Sequence, residues 1–198
     1  MSVAAAVLAA GRGTRFAGDL PKPLASLRGR PLVAWALDAA QASGLRPVML
    51  VVPPAAPDLA SVATDDVEVI VAEDAALGIA HSLHAAIDGV EAHAKVSAVC
   101  VGLGDQPRVG AEAYRRLAAA HEAGAELAVA VYDGTRGNPV LIGRVLWAAA
   151  RELSGDVGAR ALMGEDAVTE VECTGTGDPH DVDTLDDLRA LEEEIGRG

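Results

Sequence analysis

VAAAVLAAGRGTRFAGDLPK, residues 3–22, is the stretch whose reading decides the fold. It runs without charge from Val3 to Ala10 and then breaks into Gly11, Arg12, Gly13, Thr14 and Arg15. An uncharged apolar run that stops at glycines predicts a buried strand delivering a loop to the surface. Glycine has no Cβ, so such a loop can turn tightly and let a ligand approach its backbone N–H groups. With Arg12, Arg15 and Lys22 alongside, the loop is a candidate anion trap, and phosphate is the usual anion. A Gly-x-Gly pair alone also matches an ordinary strand–turn with surface charges. The rest of the chain has to decide between the two.

Outward from that loop, the pattern repeats. Residues 31–43, PLVAWALDAAQAS, begin with proline and are followed by Gly44, the expected asymmetry of a helix start and stop. Val33, Ala36, Leu37 and Ala40 form its apolar stripe. Residues 47–52 (PVMLVV), 67–72 (VEVIVA), 97–103 and 126–132 read as strands, and residues 79–90 and 110–123 as helices between them. Residues 133–139 read as a turn-rich segment, residues 143–153 as a helix and residues 168–173 as a late strand. A terminal helix with a Leu185, Leu188 and Leu191 stripe follows, N-capped by Asp183 or Thr184. Repeated alternation of strand and helix predicts an α/β fold of three layers, α/β/α, around a mostly parallel sheet. The 198 residues suit one domain over the whole chain, residues 1–198.

Composition narrows the function. The chain is 51% hydrophobic but only 3% aromatic, so its core must be built from Ala, Val and Leu. A net charge of −13 argues against a nucleic-acid partner, which would call for a basic face. Within residues 1–30, however, Arg12, Arg15, Lys22, Arg28 and Arg30 face Asp19 alone, a basic island suited to a local anionic ligand. No run is long and apolar enough for a membrane span, and no basic leader precedes the first strand. Cys100 and Cys173 have neither disulfide-framework numbers nor metal spacing. The expectation is a cytoplasmic protein without membrane attachment.

Three further positions carry chemistry. Asp105 lies just beyond the end of a strand expected at the sheet's centre, the edge where open α/β sheets bind ligands. There, beside an anion-binding loop, its carboxylate is a natural Mg²⁺ ligand; capping of the following turn is the other reading. Asp181 and Asp183, two apart, share a face if extended, and either can supply a second carboxylate while the other caps the helix. Asn138, held by Pro139, and residues 155–160 (GDVGAR) can serve a second polar or anionic substrate, or simply punctuate turns. His81 and His84 stand three apart on a helix with no third ligand evident, so no metal is assigned there.

In combination these residues form a pattern. LAAGRGTRFAGDLPKPL (residues 8–24) with GRPLV (29–33), GLGDQP (102–107) and DVDTLDDL (181–188) resembles the MobA-like nucleotidyltransferases. RGNPVLIG (136–143) and SGDVGAR (154–160), with LAAG and DVDT, look most like the molybdenum cofactor cytidylyltransferases within that family. The resemblance implies a Rossmann-like, glycosyltransferase-A-like fold. It also implies Mg²⁺-dependent transfer of CMP from CTP to the phosphate of molybdopterin, with release of pyrophosphate and delivery to a recipient molybdoenzyme. By the same resemblance, Leu8, Ala9, Ala10 and Gly11 would line the base and ribose site. Gly13, Thr14 and Arg15 would hold the triphosphate, Lys22 the α-phosphate, and Gly78 and Ser82 further nucleotide contacts. Lys22, Arg15 and Asp105 are then the catalytic set, and Asp105 with Asp183 the metal ligands, Asp181 being the less favoured choice. Asn138 and residues 155–160 would lie towards the acceptor. The chain departs from the pattern at Phe16, where a methionine is usual, in the five residues between Phe16 and Lys22, and at Leu185. Guanylyl or other nucleotidyl transfer to another phosphorylated acceptor, such as a sugar phosphate, is the alternative within the enzyme class. A non-catalytic nucleotide-binding protein of the same fold is the alternative outside it. A nicotinamide-binding Rossmann fingerprint would need glycine at position 16, where Phe16 stands.

Overall fold

The computed structural model describes residues 2–11, 16, 21–162 and 168–197. The first strand, β1 (Ser2–Leu8), leads to a single 3-10 turn (Lys22–Leu24), the short hairpin β2 (Ser26–Leu27) and β3 (Arg30–Pro31), and helix α1 (Leu32–Ala42). There follow β4 (Val48–Val52), α2 (Pro57–Ala60), β5 (Val67–Val71), α3 (Ile79–Glu91), β6 (Val96–Leu103) and α4 (Ala111–Glu122). The last third holds β7 (Leu127–Tyr132), β8 (Thr135–Gly143), α5 (Trp147–Arg151), β9 (Thr169–Glu172) and α6 (Leu185–Arg197).

Seven strands form the main sheet in the order β5-β4-β1-β6-β8-β7-β9. All run parallel except β8, which pairs antiparallel with both β6 and β7. The expected mostly parallel sheet is therefore present, with helices on both faces. Alternation along β1 builds both sides of the core at once. Val3, Ala5, Val7 and Ala9 pack with Val33 and Leu37 of α1 and with Tyr114 and Leu117 of α4. Ala4, Ala6, Leu8 and Ala10 pack with Leu83 and Ile87 of α3 and Trp147 of α5. A strand apolar on both sides is what a doubly covered parallel sheet requires.

Two expectations are corrected. Residues 133–139 are not a turn alone. Asp133 and Gly134, both at positive φ, make a tight reversal, and Thr135 at once begins the nine-residue β8. An Asp-Gly pair suits this mirror-image turn because its twist matches that of the flanking strands. The β7–β8 register shifts between Val129 and Val131, opposite Gly137, Asn138 and Pro139, where a proline could not donate a ladder bond. The helix expected over residues 143–153 is broken into a 3-10 turn, Arg144–Leu146, and the five-residue α5.

The chain leaves β1, builds α1, β4 and β5 to one side, and returns through α3 to β6 on the other. The carboxyl ends of β1 and β6 thus form the point where the strand order reverses, the usual ligand crevice of such sheets. Leu8 pairs with Leu103 in this register, and the Gly104 N–H donates to the Leu8 carbonyl at 2.9 Å. The glycine loop and Asp105 therefore start side by side.

Candidate nucleotide site

Lys22 enters this crevice from the 3-10 turn, whose backbone is fixed by the Ala25 N–H donating to the Lys22 carbonyl and by buried Pro23. Its ammonium lies 2.6 Å from Asp105 Oδ2 and 2.7 Å from Asp183 Oδ1. Three segments of sequence thus meet at one nitrogen. The Lys22 side chain is 9% exposed, against 23% for Asp105 and 33% for Asp183. Burial works against its charge, but the two carboxylates outweigh that and raise its pKa above the ordinary value.

The segment carrying Asp181 and Asp183 is held down on both sides. The Val182 N–H donates to the Asp105 carbonyl at 3.0 Å. Val182 is buried and joins a third apolar cluster with Leu27 and Leu32 beneath Leu188 and Leu191 of α6. Both neighbouring aspartates line the cleft, as alternation by two predicts. Upstream, the Asp178 N–H donates to the Arg108 carbonyl, and Gly110 passes so close to Thr176 that a Cβ would stand 2.0 Å from its carbonyl oxygen. The cap of α6 is Thr184. Its hydroxyl accepts from the Asp187 N–H at 3.1 Å, while the Asp187 carboxylate accepts from the N–H groups of Asp183 and Thr184. That reciprocal arrangement is a capping box, and it leaves the Asp183 carboxylate to face Lys22.

Asp181 has a different partner. The amide of Gln106, 3% exposed, donates to Asp181 Oδ1 and to the Pro179 carbonyl, both at 2.7 Å. Its carbonyl oxygen accepts from Asn138 Nδ2 at 3.1 Å. Burial raises the Asp181 pKa above the usual carboxylate range, and the charge of Asp105 adds to the effect. Gln106 carries no charge and matches no spacing rule, so the sequence reading passed over it. The only signal was its place between Asp105 and Pro107 in GLGDQP.

A cleft of about 600 Å³ opens at these residues, its wall including Leu8, Ala9, Gly11, Lys22, Gly78, Ser82, Asp105, Asp181 and Asp183. Ala10, expected to line it, is buried instead among the apolar residues on the α3 side. Gly13, Thr14 and Arg15 lie outside the described residues. Gly78 sits at φ 126° and backs onto Gly155, where a Cβ would stand 2.2 Å from the Gly155 carbonyl carbon. The loop before α3 and residues 154–160 therefore touch through two glycines, and the Ala80 N–H donates to the Gly155 carbonyl. A second cleft of about 250 Å³ adjoins the first. Asp156, Asp181, Leu8, Ile79 and Leu103 belong to both, while Asn138, Arg160, Val101 and Val140 belong to the smaller one. Among the described residues, no three His, Cys, Asp or Glu side chains stand together as a metal cage. No described helix is long and apolar enough to cross a membrane.

The geometry is that of a two-part site. A larger cleft carries a cation between two carboxylates, and a smaller, more apolar one shares its wall. Comparison with known proteins gives the chain its relatives. The family described as MobA-like NTP transferase domain matches residues 5–171. The crystal structure of Rv0371c from Mycobacterium tuberculosis is 33% identical, covers 98% of both chains and superposes with a TM-score of 0.85. A manganese complex of Rv0371C is 32% identical over 98% of this chain and 99% of that one, with a TM-score of 0.81. Among curated proteins, the bifunctional protein GlmU of Trichlorobacter lovleyi is 33% identical over 144 residues, 72% of this chain. The chain spans about a third of the length of such curated relatives, 31% in that case.

Proposed function

The chain belongs to the MobA-like NTP transferase domain family, and from that membership we propose that it transfers CMP from CTP to the phosphate of molybdopterin, or of its molybdenum-loaded form, releasing pyrophosphate. The observation that carries the transfer reaction is the meeting of Lys22, Asp105 and Asp183 at the crevice between β1 and β6. An acceptor phosphate oxygen attacks the α-phosphorus in line, and the bond to the bridging oxygen of the leaving pyrophosphate breaks. The nucleophile is already ionised, so no general base is needed, and positioning with charge neutralisation supplies the catalysis. Lys22 reaches the α-phosphate from the cleft wall. Arg15, outside the described residues, and the N–H groups of the glycine loop serve the triphosphate.

Two carboxylates beside an anion site suit a hard divalent cation that keeps waters and substrate phosphates as its other ligands. The ammonium held between Asp105 and Asp183 supports a cation at this spot. Asp105 and Asp183 would hold Mg²⁺, whose chemistry there is to offset charge on the phosphate oxygens. That a 32% identical chain forms a manganese complex supports a divalent ion as cofactor.

CTP is favoured by LAAG at residues 8–11 and the pterin acceptor by RGNPVLIG, SGDVGAR and DVDT. The second cleft supports that acceptor physically. Leu8, Ile79, Leu83, Val101 and Val140 offer an apolar wall for a flat ring system, and Asn138 and Arg160 offer polar contacts at its edge. The test is pyrophosphate release with CTP, GTP, ATP and UTP, each with and without molybdopterin. Turnover of CTP only when molybdopterin is present is the expected result. Turnover of another nucleotide, or with a sugar phosphate, replaces the substrate assignment. No turnover with any pair favours a nucleotide-binding protein without activity.

A further inference from the structure

We propose that Lys22 is the resident counter-ion of the Asp105–Asp183 pair and that a divalent cation takes its place, freeing the ammonium into the cleft as an anion-binding group. The proposal deepens the functional reading above and rests on it for the identity of the metal ligands. Both carboxylates approach a single nitrogen at 2.6 and 2.7 Å. A divalent ion held between the same two oxygens, at the shorter distances of about 2.0–2.1 Å typical of Mg²⁺, would draw on the same carboxylate lone pairs. The two cations therefore compete for one pair of ligands. Charge favours the exchange, because a dication brings the two carboxylates twice the charge of one ammonium.

The departure of Lys22 needs little rearrangement. The backbone of the 3-10 turn is anchored at Pro23 and by the Ala25 hydrogen bond, so the flexible four-carbon stem alone has to swing. The cleft of about 600 Å³ in whose wall Lys22 stands gives it room. Cation binding and anion binding are thereby coupled. The metal adds its own charge and also releases a second positive group for the nucleotide. By reciprocity, the nucleotide strengthens metal binding to the same degree.

The chain contains two lysines, Lys22 and Lys95, which makes the exchange directly visible. In protein labelled with ¹⁵N-lysine, addition of Mg²⁺ without nucleotide is expected to shift the Lys22 side-chain signal saturably and leave that of Lys95 in place. In parallel, calorimetry with Mn²⁺ alone is expected to show binding about tenfold tighter in Lys22→Met than in wild type, and its loss in Asp105→Asn. A Lys22 signal that stays fixed at saturating Mg²⁺ overturns the proposal, as does a wild-type protein that binds neither ion. The labelled wild-type protein decides the matter even if Lys22→Met fails to fold. Neither measurement contains nucleotide or acceptor. Lysine displacement without nucleotidyl transfer would thus count against the proposed function alone, and transfer without displacement against this inference alone.

Discussion

Asp105 is bound to its surroundings by both halves of the residue, the carboxylate to Lys22 and the carbonyl to the Val182 N–H. Only the first is lost on truncation. Asp105→Ala is therefore expected to keep the fold while lowering turnover by about 10²–10³-fold or more, the scale seen when preorganised charge is removed from a transition state. Pyrophosphate release read beside thermal melting checks it, and release at the wild-type rate would remove Asp105 from the machinery. The individual charges were legible in the sequence, since Lys22 closes the glycine-loop stretch, Asp105 follows a strand end and Asp183 precedes the last helix read. The division of labour between Asp181 and Asp183 was not. It depends on Gln106, whose neutral amide claims Asp181 through contacts 75 residues apart.

Elements show the same division between local rules and distant ones. The N-terminus of α6 follows the local capping rule at Thr184, and its carboxylate partner Asp187 is held below its ordinary pKa by the Thr184 hydroxyl and backbone hydrogen bonds. A lowered carboxylate contributes stability that is fully present above the unfolded value of 3.8 and is lost as pH falls through the folded one. Asp187→Asn should accordingly be less stable than wild type near neutral pH, with the gap closing below pH 3.8, in urea melts taken across that range. Strand β8 was misread because Gly137 and Pro139 are turn formers by local preference. Pairing with β6 and β7 on both sides overrides that preference, and the register shift at Val129–Val131 absorbs the proline. Gly78 is a tight junction in the cleft wall. Gly78→Ala combines positive φ with backbone contact to Gly155, so a loss of about 1–3 kcal/mol is expected by chemical denaturation. A raised KM for the nucleotide triphosphate should accompany it.

For the whole molecule, the two large core layers were readable in advance because β1 alternates without interruption and its neighbours are apolar on both faces. The third cluster was not, since it joins Leu27 and Leu32 near one end of the chain to Val182, Leu188 and Leu191 near the other. Phe16, one of the departures from the family pattern, packs against that cluster, so it serves the seat of α6. This small cluster, with the Val182–Asp105 backbone hydrogen bond, seats the Asp183 segment. Leu188→Ala should lower stability by about 2–4 kcal/mol by leaving a cavity. It should also weaken Mn²⁺ binding in calorimetry, whereas a comparable truncation at Leu117, in a main layer away from the cleft, should cost stability alone.

The ion pair between Lys22 and Asp183 bridges 161 positions of chain. A polypeptide emerging from the ribosome holds its glycine loop and Asp105 well before Asp183 has been synthesised, so no nascent fragment owns a complete site. Contacts between such distant segments also form late in refolding, since the intervening chain must first be ordered. After dilution from denaturant, recovery of turnover is expected to lag recovery of helical circular dichroism, and simultaneous recovery would show the C-terminal segment docking early. The Lys22–Asp183 pair is thus a late reporter of folding, made only once the segment before α6 has docked.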